Sequence, residues 1–301
     1  MFKKITLILS FLPFLLSAQS KSRYKYELIG GVGIANFLGD LGGADKVGTH
    51  LLNDFEFRAT RPNIVAGVRY KVNNYFSFKG VFTSAIVAGK DSWTNETYRN
   101  NRNLSFRSPI LELSAQAEYY FLREKMSGIY KISNFKKKRS RKTTAYLLAG
   151  AGVFFYSPSA ESWNGKRYRL RKMHTEGQGL PGGPKQYSNF SICIPVGIGF
   201  KYLIDRRWSI GAEVALRKTF TDYIDDVSGE YYDNKAILQA YGPEAAYLAD
   251  PSLGLIKGAT LPNADGSGAQ RGEMRYKDSY MFLDFSVAYK FTKKRRTRSK
   301  F

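Results

Sequence analysis

Apolar and polar residues alternate with a period of two over eight stretches of the chain, as in strands with two unlike faces. Stretch 24–38 carries Tyr24, Tyr26, Leu28, Val32, Ile34 and Leu38 on one face. Stretch 62–73 sets Ile64, Ala66, Val68, Tyr70 and Val72 against Asn63, Gly67, Arg69 and Lys71. Stretch 75–88 sets Phe76, Phe78, Phe82 and Ile86 against Ser77, Lys79 and Thr83. Stretch 108–122 sets Leu111, Leu113, Ala115, Ala117, Tyr119 and Phe121 against Glu112, Ser114, Gln116 and Glu118. Stretch 143–157 is apolar on both faces, with Gly150 and Gly152 among alanines and Val153. Stretch 188–203 sets Phe190, Ile192, Ile194, Val196, Ile198, Phe200 and Tyr202 against Ser191, Gly197, Gly199 and Lys201. Stretch 207–222 sets Trp208, Ile210, Ala212, Val214 and Leu216 against Ser209, Gly211, Glu213, Arg217 and Thr219. Stretch 279–291 sets Met281, Leu283, Phe285, Val287, Tyr289 and Phe291 against Asp284, Ser286 and Lys290.

A soluble sandwich would also alternate. Three features favour an all-β, transmembrane antiparallel barrel of about eight strands. The stretches exceed the usual strand length and suffice to cross a bilayer at a tilt. Their small and charged face is poor core material but suits a narrow lumen. Aromatics gather at the stretch ends (Tyr24, Tyr26, Tyr70, Tyr75, Phe76, Tyr119, Tyr120, Phe121, Tyr202, Trp208, Tyr289, Phe291), where a bilayer interface would hold them. Mean hydropathy is −0.36, which hides such a barrel because half its strand residues face a polar interior.

The connections segregate by length. Asn73-Asn74 and Asp205-Arg206 are tight turns, whereas 39–61, 89–107, 158–187 and 223–278 are long. Short periplasmic turns and long extracellular loops place both chain ends in the periplasm. Connection 123–142 is the exception, long yet on the periplasmic side. It holds nine basic residues and one acid, and the tail 293–301 holds six basic residues and no acid. These two elements carry much of the formal net charge of +22.

Residues 1–18 pattern as a signal peptide, with Lys3 and Lys4 before the apolar run Ile5 to Leu16 and cleavage expected after Ala18. The expected organisation is a signal peptide at 1–18, an outer-membrane barrel at 19–292 and a basic periplasmic tail at 293–301. Export removes nucleic acid from reach, so the basic runs point instead to anionic lipid headgroups or an acidic periplasmic protein. The docking candidates are Lys136, Lys137, Lys138, Arg139, Arg141, Lys142, Lys293, Lys294, Arg295 and Arg296. The lone Cys193 is expected to be a buried, strand-borne thiol.

Nothing in the sequence assembles an enzyme, a cofactor site or a metal site. His50 and His174 fall in loops with no nucleophile motif and are expected to be solvated. Asp222, Asp225 and Asp226 lack the spacing of a calcium loop, and whether they bind a cation stays open. Gly30-Gly31-Val32-Gly33 lies within a strand and is no phosphate cradle. The inward charges matter more. Glu112, Glu118, Glu213 and Asp284 are expected to pair with Arg69, Lys79, Lys201 and Arg217 and to plug the lumen. Glu27, Lys71 and Lys290 face the same way.

Several stretches resemble the PorG-like outer-membrane barrel family of Bacteroidetes. They are Asn36 to Gly42, Arg61-Pro62, Arg102 to Ser108, Gly211 to Val214, Lys218 to Ser228 and Lys277 to Phe282. The resemblance implies a non-enzymatic role in the type IX protein secretion system, in contact with a periplasmic ring of PorK and PorN. The rival readings are a stand-alone structural or adhesion barrel and a passive pore.

Overall fold

The computed structural model describes residues 25–41, 57–94, 96–123, 142–256, 258–261, 268–273 and 277–291. Ten strands form: β1 (Tyr26–Leu38), β2 (Arg61–Lys71), β3 (Phe76–Lys90), β4 (Ser105–Leu122), β5 (Thr143–Tyr156), β6 (Ser159–Glu161), β7 (Arg167–Arg169), β8 (Phe190–Leu203), β9 (Trp208–Thr219) and β10 (Ser279–Lys290). Eight pair antiparallel in the order β3-β2-β1-β10-β9-β8-β5-β4, and β3 then pairs with β4. That last pairing closes an eight-stranded antiparallel barrel, so these strands leave no open edge. The short β6–β7 hairpin hangs on the rim of β4 through Arg107 and Ser159.

Strand ends follow local chemistry. At the β2–β3 turn, Asn73 Oδ1 accepts from the amides of Tyr75 and Phe76 at 2.7 and 2.8 Å. At the β8–β9 turn, Asp205 Oδ1 accepts from Arg207 and Trp208 at 2.6 and 2.7 Å. Both turns use one side-chain oxygen in place of a backbone acceptor. The loop sides differ from expectation. β3 and β4 stay paired out to Lys90 and Ser105, so the second loop is shorter than 89–107. β9 ends at Thr219 rather than 222, because Thr219 Oγ1 and amide both turn to the carbonyl of Asp278.

The outer face is apolar and exposed: Leu28, Val32, Ile64, Val68, Phe78, Phe82, Leu113, Val153, Ile194, Val196, Phe200, Phe285 and Val287 all project from the barrel. Aromatic pairs encircle the turn end, with ring centroids of 5.1 Å for Tyr26–Tyr70, 5.3 Å for Phe76–Tyr119 and 4.8 Å for Trp208–Tyr289. The inner face is polar toward this end. Toward the loop end it becomes apolar, with Ala35, Phe37, Val87, Phe106, Ile110, Phe154, Tyr156, Tyr280 and Phe282 in one cluster. Alternation alone suggested a small and charged inner face throughout; the upper third is a hydrophobic core instead.

Loop residues complete that core. Leu41, Leu104, Leu170, Ile224, Val227 and Leu248 enter it from all four long loops. Among the described residues three short helices shape the cap: α1 (Thr97–Arg102), α2 (Asn234–Tyr241) and α3 (Pro243–Ala249). Glu96 caps α1 by accepting from the amides of Tyr98 and Arg99, and Asn103 ends it in the left-handed conformation.

Candidate functional site

Alternation places the inward charges on neighbouring strands, and barrel closure brings them into contact. Arg69 on β2 is the hub of the lower lumen. Its Nε and one terminal nitrogen grip Glu118 at 2.7 and 2.9 Å, and its other terminal nitrogen meets Glu27 at 2.8 Å. Glu27 also takes Lys201 at 3.2 Å and Lys290 at 3.9 Å. Lys79 bridges Glu213 at 2.6 Å and Glu118 at 3.5 Å. Tyr146 donates to Glu213 at 2.8 Å, and Tyr120 donates to Glu118. Gly199 makes this possible: a Cβ there would stand 2.2 Å from the Tyr146 ring.

A second cluster sits higher. Arg217 reaches Glu112 at 3.3 Å, lies 4.2 Å over the Phe282 ring, and Tyr280 donates to the same carboxylate at 2.9 Å. Asp284 departs from the expected cation pairing. Arg217 turns away to Glu112, and Asp284 accepts instead from the Asn63 amide at 2.7 Å. Glu112 and Glu118 are fully buried, so no water-sized sphere reaches them. The charges are therefore committed to one another across a lumen that side chains fill.

Sequence reasoning missed three partners: Tyr146 and Tyr280 went unplaced, and Tyr120, expected in the outer girdle, is buried and faces inward. The signal was present, since Tyr120 shares parity with Glu118 and Tyr280 with Asp284. Glu27 was placed inward, but its role as acceptor for three cations needed the closed β1–β10 pairing.

The basic docking candidates Lys136, Lys137, Lys138, Arg139, Arg141, Lys293, Lys294, Arg295 and Arg296 lie outside the described residues, as does His50. Lys142 is exposed, with its ammonium 5.9 Å from the Tyr202 ring centroid. Arg123, at the same rim, lies 3.9 Å over Tyr75.

The cap corrects one loop expectation. His174 is not simply solvated; it is half-buried and stacks on Tyr241 at 4.3 Å, because α2 folds back over it. Asp222, Asp225 and Asp226 do not converge on a common point. Asp225 accepts from the amides of Leu41 and Val227, Asp226 from the hydroxyls of Thr175 and Tyr187, and Asp222 from Ser228. Asp278 accepts from the Ile224 amide at 2.9 Å. Arg102 clamps Asp91 and donates to the carbonyls of Asp40 and Arg271, joining three loops. Among the described residues no group of three or more His, Cys, Asp or Glu side chains is arranged to hold a metal.

Burial pushes the Asp226 carboxyl up to about 7, against the pull of Arg271 and its two hydroxyl donors. Burial likewise pushes Asp222 up to about 6, against Ser228 and Lys277. A carboxyl raised above its unfolded value near ~3.9 adds stability below that value and loses it as pH rises through the folded one. The cap is therefore expected to loosen between about pH 4 and pH 7. Hydrogen-exchange protection of residues 222–228, corrected for intrinsic rates, should fall from pH 5 to pH 8; a rise would contradict this.

Residues 4–241 match the family model described as a domain of unknown function (DUF6089). The chain belongs to that family. The matched span stops short of α3 and of β10, the strand that joins β1 to β9. No curated protein matches the sequence. Among solved structures the chain is similar to Neisserial surface protein A, at 11% identity over 88% of this chain and 97% of that one, with a TM-score of 0.40. It is similar to the Yersinia pestis attachment invasion locus protein Ail, solved with the heparin analogue sucrose octasulfate, at 10% identity over 90% and 100%, with a TM-score of 0.38. It is also similar to E. coli outer membrane protein W, at 12% identity over 90% and 100%, with a TM-score of 0.34.

Proposed function

We propose that this protein is a non-enzymatic barrel of the cell outer membrane that serves the type IX secretion system by contacting a PorK/PorN-like periplasmic ring. The observation that supports the membrane assignment most is the inverted surface: apolar residues outside, paired charges inside, and an aromatic girdle at one rim. In water an exposed apolar ring of this extent would drive aggregation; in lipid it is the solvated face. With the turns periplasmic, both chain ends share that compartment.

The secretion role rests on the PorG-like stretches and on the basic elements at the turn end. Strands β4 and β5, which flank segment 123–142, and β10, which precedes the tail, all end at the turn rim, with β10 across the barrel from β4. The summed charge of segment and tail would steer an acidic partner, with specific contacts supplying most of the affinity. Lipid attraction alone would scale with charge number, at about 1 kcal/mol per residue near an anionic surface. Two variants separate these: Lys136, Lys137, Lys138 and Arg139 neutralised together, and Lys293, Lys294, Arg295 and Arg296 neutralised together. Each should insert normally, judged by heat-modifiable gel mobility, and lose type IX cargo secretion and ring co-purification. Full secretion and full co-purification in both would defeat the docking reading. The compact cap favours a second reading, a stand-alone structural or adhesion barrel, which would co-purify with no ring protein.

A further inference from the structure

A crevice of about 470 Å³ opens between the β3–β4 rim, the β6–β7 hairpin and α3. Its volume falls within the range of small-molecule sites, about 300–1,000 Å³. Its polar lining is mostly donors. Lys90 and Arg107 stand exposed at the mouth, and neither side chain has a hydrogen-bond or ion-pair partner among the described residues. Arg167 joins them, held only by the exposed Glu161 at 3.7 Å. Two further donors are buried in the wall. The Nε of Arg271 and the Oγ of Ser162 have no hydrogen-bond partner, though the residues are only 2% and 5% exposed.

Arg271 is otherwise fixed: one terminal nitrogen donates to Glu176 at 2.9 Å and to the Asp226 carbonyl at 2.7 Å. Its Nε–H is thus held in place without an acceptor. A buried donor left unpaired costs roughly 1–3 kcal/mol, so such groups call for a partner. Unpaired cations at the mouth and unpaired donors in the wall both ask for a ligand rich in acceptors and negative charge. Trp93 and Tyr247 line the same space and offer flat apolar faces.

We propose that this crevice binds a phosphorylated or sulfated saccharide, its anionic group at Arg107 and Lys90 and its ring oxygens toward Ser162 and Arg271. Phosphate or sulfate oxygens match the guanidinium and ammonium donors, and the C–H faces of a sugar ring fit the aromatic walls. The saccharide could reach the crevice as the headgroup of a glycolipid in the surrounding leaflet or as a soluble glycan.

The test uses the full-length refolded protein. Glucose 1-phosphate and glucose are titrated separately in detergent, and phosphatidylcholine vesicles with and without lipid A provide the lipid arm. Saturable binding of glucose 1-phosphate but not glucose is expected. The double variant Arg107→Gln/Lys90→Gln should weaken it by about tenfold or more, the loss of two charge-assisted contacts. Ser162→Ala should weaken it several-fold without disturbing the cap, whereas Lys172→Gln, away from the crevice lining, should leave it unchanged. Binding to lipid A vesicles with the same variant dependence assigns the source to a glycolipid; binding of the soluble sugar alone assigns it to a glycan. Binding of neither probe, equal loss in Lys172→Gln, or tighter variant-dependent binding of a poly-glutamate peptide would overturn the saccharide assignment.

Discussion

Arg69→Met is expected to lower the unfolding free energy of the barrel by about 3–5 kcal/mol, because it strips a cation from buried carboxylates. Glu118 would keep Lys79 at 3.5 Å and the neutral Tyr120 hydroxyl, and Glu27 would keep Lys201 and Lys290 at 3.2 and 3.9 Å. None of these replaces the two-pronged grip that Arg69 supplies at 2.7 and 2.9 Å. The damage comes from the charge left behind rather than from the worth of the pair. Removing both charges in Arg69→Met/Glu118→Leu should therefore cost less than the sum of the single changes. Urea unfolding in micelles, followed by heat-modifiable mobility and tryptophan fluorescence, gives the cycle. A single-variant loss below about 1 kcal/mol, the range of exposed pairs, would contradict a sealed network.

Leu113→Arg carries the next largest expectation. Leu113 is 60% exposed at the centre of β4 and pairs with the equally outward Val153. On a water-facing surface such a change costs within about 0.5 kcal/mol. At the midplane of a bilayer it costs about 2–4 kcal/mol, falling to about 0–1 near the interface. Tyr119→Arg, in the girdle, provides the interfacial control. A gap of roughly 2 kcal/mol between the two in lipid, vanishing in a soluble reference, is the expected outcome. Equal effects would mean that the apolar ring does not face lipid.

The strands were legible because their signal is local. A period of two over a dozen residues leaves one choice of face, and Asn73 and Asp205 announce their turns by side-chain chemistry. The inward set was legible for the same reason: Arg69, Lys79, Glu118 and Glu213 share a face by parity alone. The pairings were harder. That Arg69 binds Glu118 and Glu27 together depends on how far each strand is staggered around the closed sheet. Stagger is a property of the whole barrel, which is why Asp284 was matched to a cation and found Asn63.

The cap was not legible. Its contacts join Leu41 to Asp225, Arg102 to Asp40 and Arg271, and Ile224 to Asp278, across separations that no periodicity encodes. All of these residues but Arg271 fall within stretches 36–42, 102–108, 218–228 and 277–282, which carry the family resemblance. The structure gives those stretches a common physical role: they meet at the mouth and hold the loops against the apolar upper core. His174 was misjudged for want of this contact, since α2 supplies the ring it stacks on.

The central claim is a lipid-embedded barrel whose interior is filled by paired charges. Planar-bilayer recording tests it most directly, on protein first shown to be inserted by heat-modifiable mobility and by resistance of the strands to protease. Wild type should show no steady ion conductance, and Arg69→Met should raise only brief, irregular openings. A stable, porin-like conductance from the wild-type protein would contradict the account.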